Sequence, residues 1–152
     1  MYPIWIVMVF GALFASYVAI ETPRQERFLN EVSAEVSATN FIAYRKSVIR
    51  YLDANPAATG TITDASLAPY WLTGYIRDAN WSNIVTGGTL FIHSTSATAI
   101  NTKNTIYHKA KKSSLVGTKD AITGRLQSLN GFDTGINLPA AIPNNAIVLL
   151  GK

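Results

Sequence analysis

The chain has 152 residues, a formal net charge of +4 and no cysteine. That length is enough for one domain with its own core, and the lack of cysteine excludes disulfides, thiolate nucleophiles and cysteine-ligated metals. The excess of positive charge is mild, so it is compatible with an anionic membrane surface or an acidic partner without requiring either.

The first element is an apolar run, because residues 3–20 carry no charged side chain. As a helix this run spans about 27 Å, close to the roughly 30 Å of a bilayer's hydrocarbon core. We therefore predict a transmembrane anchor over residues 1–22, with Trp5 and Tyr17 near the two membrane surfaces. The alternatives are a cleaved secretory signal and a buried helix. No basic side chain precedes the run and its small residues make poor cleavage sites, which argues against a signal.

One face of the predicted anchor carries small residues with a spacing of four, namely Gly11, Ala15 and Ala19. Small side chains let membrane helices approach closely, so this face is a candidate for helix packing and self-association. The alternative is that glycine and alanine are simply frequent in membrane helices.

Arg24 and Arg27 follow the run and no basic residue precedes it, a charge bias that weakly favours a cytoplasmic domain.

After the apolar run, residues 24–54 are rich in helix formers. In the first part of this helix, Phe28, Val32 and Val36 recur every four positions among polar residues and form a narrow apolar stripe. We predict a helical stalk over residues 23–40, with the stripe as a partner-binding surface. The alternative is that the stripe packs on the protein's own domain.

The apolar stripe widens from Phe41 onward, which indicates deeper burial and the start of a globular domain over residues 41–152. Large aromatic side chains follow along the chain. We expect Phe41 and Tyr44 to be buried together with Trp71 and Trp81 in the core of this domain.

The rest of the chain predicts short elements of both types, separated by turn signals. They are a short helix capped by Asp64 or Ser66, a strand at Thr89–His93, a helix at Ile100–Lys112, short strands at 115–117 and 124–127, and a buried terminal strand at Ala146–Leu150. Residues 131–145 are rich in turn formers and are predicted to be irregular. The order of elements predicts an α+β fold with a small antiparallel sheet.

Catalytic motifs are missing from the sequence. It contains no Walker phosphate loop, no His-Glu-x-x-His pair and no Gly-x-Ser-x-Gly elbow. His93 and His108 lack a local carboxylate pattern, so surface or structural roles are expected for both. The sequence therefore predicts no catalytic residue, no metal and no cofactor. An anchored periplasmic enzyme is therefore only the third interpretation. An anchored protein that acts through contacts and a structural subunit are both favoured over it.

Basic residues concentrate in one part of the chain, at Lys103, Lys109, Lys111, Lys112 and Lys119. Nucleic-acid binding usually combines such a patch with stacking aromatics or a known module, and Tyr107 is the only aromatic residue here. We therefore predict no nucleic-acid partner. Lys109, Lys111 and Lys112 are a candidate docking surface for an acidic partner, the alternative being a solvated helix face.

Several sequence features occur together. An apolar helix starts almost at Met1, and a helix with Asn40-Phe41-x-x-Tyr44-Arg45 ends at Asn55-Pro56. The run Trp71-Leu72-Thr73-Gly74-Tyr75 follows, and Trp81 precedes Gly87-Gly88. In this combination the chain resembles the PilM family of small inner-membrane proteins from type IVb (thin) pilus systems.

The resemblance implies an inner-membrane component of pilus assembly, with a periplasmic domain and other pilus assembly proteins as partners. For topology we give it more weight than the two arginines. The leading expectation is a membrane-anchored scaffold protein, and the alternative is a pilin- or pseudopilin-like subunit. The sequence departs from the pilin pattern, because no basic leader ends in glycine and the first acid, Glu21, lies at the far end of the apolar run.

Overall fold

The computed structural model describes residues 3–151, except for the side chains of Pro3 and of residues 15–23. The chain divides into two compact units, Met1–Ser33 and Ala34–Lys152. Ala34 and Ala38 are buried within the second unit. The stalk over residues 23–40 and the domain over residues 41–152 stay predictions.

Helix α1 runs from Pro3 to Ala54 and supplies residues to both units. In the first unit, the described large apolar side chains between Ile4 and Phe14 are exposed. Among the described residues, no helix is both long enough and apolar enough to cross a membrane. The anchor over residues 1–22 stays a prediction, and part of it lies outside the described residues.

The second unit combines the end of α1 with two short helices, a 3-10 turn and a six-stranded sheet. Its helices are α2 (Asp64–Leu67), the 3-10 turn (Ala68–Tyr70) and α3 (Ile100–Lys109). Its strands are β1 (Trp81–Thr86), β2 (Thr89–Ser94), β3 (Val116–Lys119), β4 (Arg125–Ser128), β5 (Asp133–Asn137) and β6 (Ile147–Gly151). The strands lie in the order β1-β2-β6-β3-β4-β5, and all neighbours are antiparallel. The predicted α+β fold with an antiparallel sheet is confirmed.

The central strand β6 is buried on both faces of the sheet. Ile147 and Leu149 belong to a core that also contains Phe41 and Tyr44 of α1. Val148 belongs to a second core on the opposite face, because side chains alternate along a strand. With both faces covered, β6 reads in sequence as an unbroken apolar run, which is why it was predictable.

The predicted aromatic cluster forms in the first core. The rings of Phe41 and Trp81 meet edge to face, with their centroids 4.9 Å apart. Tyr44 stacks on Trp71 at 6.1 Å. Phe41, Tyr44 and Trp81 are buried, and Trp71 is half-buried against them.

Three local predictions were wrong. Helix α2 is capped by Thr63, whose hydroxyl oxygen accepts from the backbone N–H of Ser66 at 3.3 Å, and not by Asp64 or Ser66 themselves. The helix expected over residues 100–112 ends at Lys109. The segment 131–145 is not wholly irregular, since it contains β5.

Candidate functional site

A groove of about 750 Å³ lies in the second unit between α1 and the segment Leu72–Ala79. From α1 it is lined by Val36, Thr39, Asn40 and Ala43. Below we call it the α1 groove. Most of its lining side chains are apolar or small, which is typical of a surface that binds another molecule by burying apolar area.

Two large apolar side chains of the α1 groove face solvent. Ile76 is 81% exposed and Val36 is 63% exposed. Single exposed apolar residues are common on protein surfaces, but here two of them line the same concave surface. Such a patch is a typical site of protein–protein contact.

The segment Leu72–Ala79 has no regular secondary structure, yet Asn40 fixes it to α1. The Asn40 side chain donates from Nδ2 to the carbonyl oxygen of Ile76 at 2.8 Å. Its Oδ1 accepts from the hydroxyl of Tyr75 at 3.0 Å. A turn also closes where the N–H of Tyr75 donates to the Leu72 carbonyl at 2.9 Å. The backbone on both sides of the Ile76 side chain is therefore held in place.

Arg77 fixes the end of the same segment. Its Nε donates to Asp64 Oδ1 at 2.8 Å, and its Nη2 donates to the carbonyl oxygen of Trp81 at 2.7 Å. The guanidinium carbon lies 4.8 Å from the centroid of the Tyr44 ring, a cation–π distance. Arg77 thereby connects α2, the groove segment and the start of β1.

The phenols near the α1 groove are not suited to acid–base chemistry near neutral pH. Burial raises the pKa of Tyr75 to about 12. Burial also raises the pKa of Tyr44, whose hydroxyl accepts from Asn83 Nδ2 at 2.7 Å. Both groups stay protonated, so they hold structure by hydrogen bonding. These two phenols therefore contribute hydrogen bonds and apolar ring surface to the groove region.

The residues of the predicted partner-binding stripe fall in different units. Phe28 and Val32 lie in the first unit and are exposed by 63% and 44%. A shallow pocket of about 370 Å³ in that unit is lined by Arg24, Gln25, Phe28 and Leu29. Val36 lies in the second unit and lines the α1 groove. The role of the stripe as a contact surface stays a prediction.

The basic residues do not form one cluster. Lys109, at the end of α3, forms an ion pair with Glu35. Lys111 and Lys112 are exposed just beyond the helix, both with a φ of 56°. Lys119 lies apart from them, since it is 7% exposed and its ammonium binds backbone carbonyls. Lys111 and Lys112 remain as free surface charges for the predicted docking of an acidic partner.

Of the small residues proposed for helix packing, Gly11 lies at an open position of the described helix surface. A Cβ added to Gly11 would meet no atom within 4 Å. The side chains of Ala15 and Ala19 lie outside the described residues. Their role in membrane packing stays a prediction.

Neither histidine belongs to a metal site among the side chains that the structure describes, those of residues 4–14 and 24–151. Within these ranges, no group of three or more His, Cys, Asp or Glu side chains could hold a metal ion. His93 is buried, with Nδ1 2.9 Å from the Ser94 carbonyl oxygen. His108 is exposed on α3.

Sequence reasoning missed Ile76 and Asn40 as parts of a site. The run Trp71-Leu72-Thr73-Gly74-Tyr75 is one of the sequence features that carry the resemblance to the PilM family. Gly74 has a φ of 76°, which is consistent with the turn at this position. The contact between Asn40 and Ile76 joins positions far apart in the chain. No local pattern in the sequence reports such a contact.

Comparisons with known proteins identify the family. The sequence model of the PilM family matches residues 9–150. Among solved structures, a protein from Escherichia coli B7A described as PilM aligns with a TM-score of 0.61 and 24% identity, over 79% of this chain and 92% of that chain. That likeness shows the fold, and a comparison with curated proteins finds no match. The family match spans most of the sequence and confirms the expectation drawn from it: this chain belongs to the PilM family.

Proposed function

We propose that this PilM-family protein takes part in type IVb pilus assembly as a scaffold that acts through contacts with other pilus assembly proteins. The family match supports the connection with pili. The observation that carries the contact role is the α1 groove, where Ile76 is 81% exposed although hydrogen bonds fix the backbone around it. When the backbone is already held in place, less conformational entropy is lost as a partner covers the side chain.

The proposal includes attachment to the inner membrane through residues 1–22, with the second unit in the periplasm. Its support is the uncharged run over residues 3–20 and the exposed apolar side chains described between Ile4 and Phe14. An anchor would confine the α1 groove to the membrane surface and raise its effective concentration toward other membrane components. Gly11, Ala15 and Ala19 would then be available for self-association.

The experiment compares two exposed isoleucines. Ile76→Glu places a charge in the α1 groove, whereas Ile122→Glu places one on a turn residue that is 94% exposed and lies outside the groove. We expect Ile76→Glu to abolish piliation and the co-purification of pilus assembly proteins, and Ile122→Glu to leave both intact. Wild-type piliation by the Ile76→Glu strain would remove the groove as the contact surface.

A second candidate function is a pilin-like structural subunit. Helix α1 favours it, because one continuous helix from Pro3 to Ala54 has an apolar first part and packs its last part on an antiparallel sheet. A subunit would be found in sheared, purified pili in stoichiometric amount. A scaffold would stay in the membrane fraction, so mass spectrometry of the two fractions separates the candidates.

A further inference from the structure

Arg45 is a half-buried cation of α1 that lacks a partner in the part of the chain that the structure describes. Its Nε is buried and makes no hydrogen bond. None of the ion pairs found among the described residues includes its guanidinium. Arginine side chains usually cover apolar surface with their stem and keep the charged end in water. In Arg45 the inner nitrogen has lost water without gaining an acceptor, which is rare for a buried donor.

The guanidinium of Arg45 rests on the backbone of Gly151, the buried last residue of β6. A Cβ added to Gly151 would lie 2.7 Å from Nε and 2.7 Å from Nη2 of Arg45. Carbon and nitrogen atoms that are not bonded to each other do not pack this closely, so a side chain at residue 151 would displace the guanidinium. Gly151 therefore provides a seat that holds the guanidinium against the central strand of the sheet.

Apolar side chains flank Arg45 on α1. Ile42 and Ile49 lie three residues before it and four residues after it, so they share its side of the helix, and both are partly buried against the first core. Burial lowers the pKa of Arg45, and no nearby carboxylate opposes this effect. The guanidinium still stays charged at neutral pH, because its ordinary pKa is above about 12. The result is a positive charge in apolar surroundings, where an ion pair is stronger than in water.

The outer end of the guanidinium is the part that a ligand can reach. Of its three nitrogens only Nε is both buried and unpaired, and Arg45 keeps part of its surface in solvent. Nη1 and Nη2 present two parallel N–H groups, a fork that matches the two oxygens of a carboxylate. Neither Arg45 nor Gly151 lines the α1 groove, so this position is separate from it.

We propose that Arg45, seated on Gly151, binds a carboxylate group of a partner protein. The unpaired positive charge favours an anionic ligand, and the described residues supply none. The two flanking isoleucines favour a protein over a free anion, because a protein also covers the apolar surface beside the charge. Arginines in such surroundings are often the residues on which the affinity of an interface depends. We call this the Arg45 site.

The test is an NMR titration of the full-length ¹⁵N-labelled protein in non-ionic detergent at constant pH and ionic strength. The probes are two short peptides, acetyl-Gly-Glu-Glu-Gly-amide and its neutral counterpart acetyl-Gly-Gln-Gln-Gly-amide. The Arg45 Nε–H signal reports on the site and is assigned by its loss in Arg45→Lys. We expect saturable shifts of this signal and of the Gly151 amide with the glutamate peptide, and an affinity about tenfold lower for the glutamine peptide.

Three variants separate a built site from a general attraction to positive charge. Gly151→Ala keeps the guanidinium but removes its seat, so we expect the glutamate peptide to bind about tenfold more weakly. Arg45→Gln should abolish the binding. Arg50→Gln is the matched control, because it removes an exposed guanidinium from the same helix and changes the net charge equally. We expect Arg50→Gln to leave the affinity unchanged.

A stability measurement distinguishes a binding site from a structural arginine. A charge that is partly buried without a partner is costly, so an apolar side chain of similar size should be tolerated at this position. We expect the urea midpoint of Arg45→Met to equal or exceed that of the wild type. A lower midpoint would mean that the guanidinium stabilises the fold, and the proposal would be overturned.

Three results of the titration would also overturn the proposal: linear shifts with both peptides, equal affinities for the two peptides, or equal affinities for Gly151→Ala and the wild type. Saturable binding of the glutamate peptide that Arg50→Gln retains and Arg45→Gln loses would support it. Neither pilus assembly nor the α1 groove plays a part in this titration, so its outcome is independent of the scaffold proposal.

Discussion

The ammonium group of Lys119 donates a hydrogen bond of 2.6 Å to the carbonyl oxygen of Ile142. It also reaches the carbonyl of Pro139 at 3.1 Å and that of Ala140 at 3.4 Å. A buried lysine on β3 thus holds the segment between β5 and β6, in which Leu138 and Ile142 cover the second face of the sheet. The segment lacks regular secondary structure, so these bonds take the place of a strand ladder.

We expect Lys119→Met to lower the free energy of unfolding by about 2–3 kcal/mol, a typical contribution of hydrogen bonds made by a charged group. Methionine fills similar space but leaves the buried carbonyl oxygen of Ile142, and the half-buried ones of Pro139 and Ala140, without this donor. Urea denaturation of the full-length protein in detergent measures the effect. The matched control is Lys46→Met at an exposed lysine of α1, for which the midpoint should not move. Equal midpoints for both variants would show that solvent replaces the ammonium without cost.

His93 makes stability depend on pH. Burial lowers the pKa of His93, and the nearby Lys119 charge acts in the same direction, against the opposing hydrogen bond with the Ser94 carbonyl. The pKa of His93 in the folded protein lies below its value of about 6.5 in the unfolded chain. At a pH between these two pKa values, the unfolded state therefore binds more protons than the folded state. Stability is therefore highest above about pH 6.5 and falls as the pH drops toward the folded pKa.

The measurement compares unfolding midpoints between pH 7.5 and pH 5. We expect His93→Gln to flatten this decline and His108→Gln, at an exposed position on α3, to leave it unchanged. A decline of the same size in all three proteins would assign the pH dependence to other groups.

Lys111 occupies a backbone conformation that glycine adopts more readily. Helix α3 ends in a Schellman motif, in which the N–H of Lys112 donates to the Tyr107 carbonyl at 2.9 Å and that of Lys111 to the His108 carbonyl at 3.0 Å. The φ of Lys111 is 56°. This left-handed conformation is strained because it brings the Cβ close to the following carbonyl oxygen.

We expect Lys111→Gly to raise the free energy of unfolding by about 0.5–1 kcal/mol, whereas Lys111→Ala should not, because it keeps the Cβ. If Lys111 also docks an acidic partner, both variants should reduce co-purification of that partner equally, since both remove the charge. Loss of stability in Lys111→Gly would contradict the assignment of strain.

The strands that are buried along almost their whole length were predictable from the sequence. Thr89–His93 and Ala146–Leu150 are apolar runs bounded by turn residues, and both form strands. Sequence reasoning missed β1, because the polar residues Ser82 and Asn83 interrupt the apolar pattern. Asn83 is nonetheless 1% exposed, since its side chain bonds the backbone of Ile62 and the hydroxyl of Tyr44.

Strand β5 and the α1 groove could not be predicted from the sequence, because neither is marked by an apolar pattern within one element. Every second residue of β5 is exposed, and Gly135 has a φ of 71°, so the local composition is that of a turn. The α1 groove depends on the hydrogen bonds between Asn40 and the segment near Ile76, a contact set by the fold of the whole unit. Patterns of burial within one element carry no information about such a pairing.

The last prediction tests whether the fixed geometry of the α1 groove matters as much as its apolar surface. Asn40→Ala removes the bonds to the Ile76 carbonyl and the Tyr75 hydroxyl and leaves Ile76 itself unchanged. We expect faster hydrogen exchange of the amides in the segment Leu72–Ala79 and a loss of about 1–2 kcal/mol in the free energy of unfolding.

Because a mobile Ile76 must be ordered on binding, Asn40→Ala should also reduce piliation and co-purification of partners. The control is Thr105→Ala, at a residue outside the α1 groove whose hydroxyl donates within its own helix, to the Asn101 carbonyl at 2.9 Å. We expect Thr105→Ala to retain slow exchange and piliation. If Asn40→Ala exchanges rapidly but assembles pili normally, exposure of Ile76 suffices and its rigid placement is not needed. Slow exchange in Asn40→Ala would instead mean that the Arg77 contacts with Asp64 and Trp81 hold the segment without Asn40.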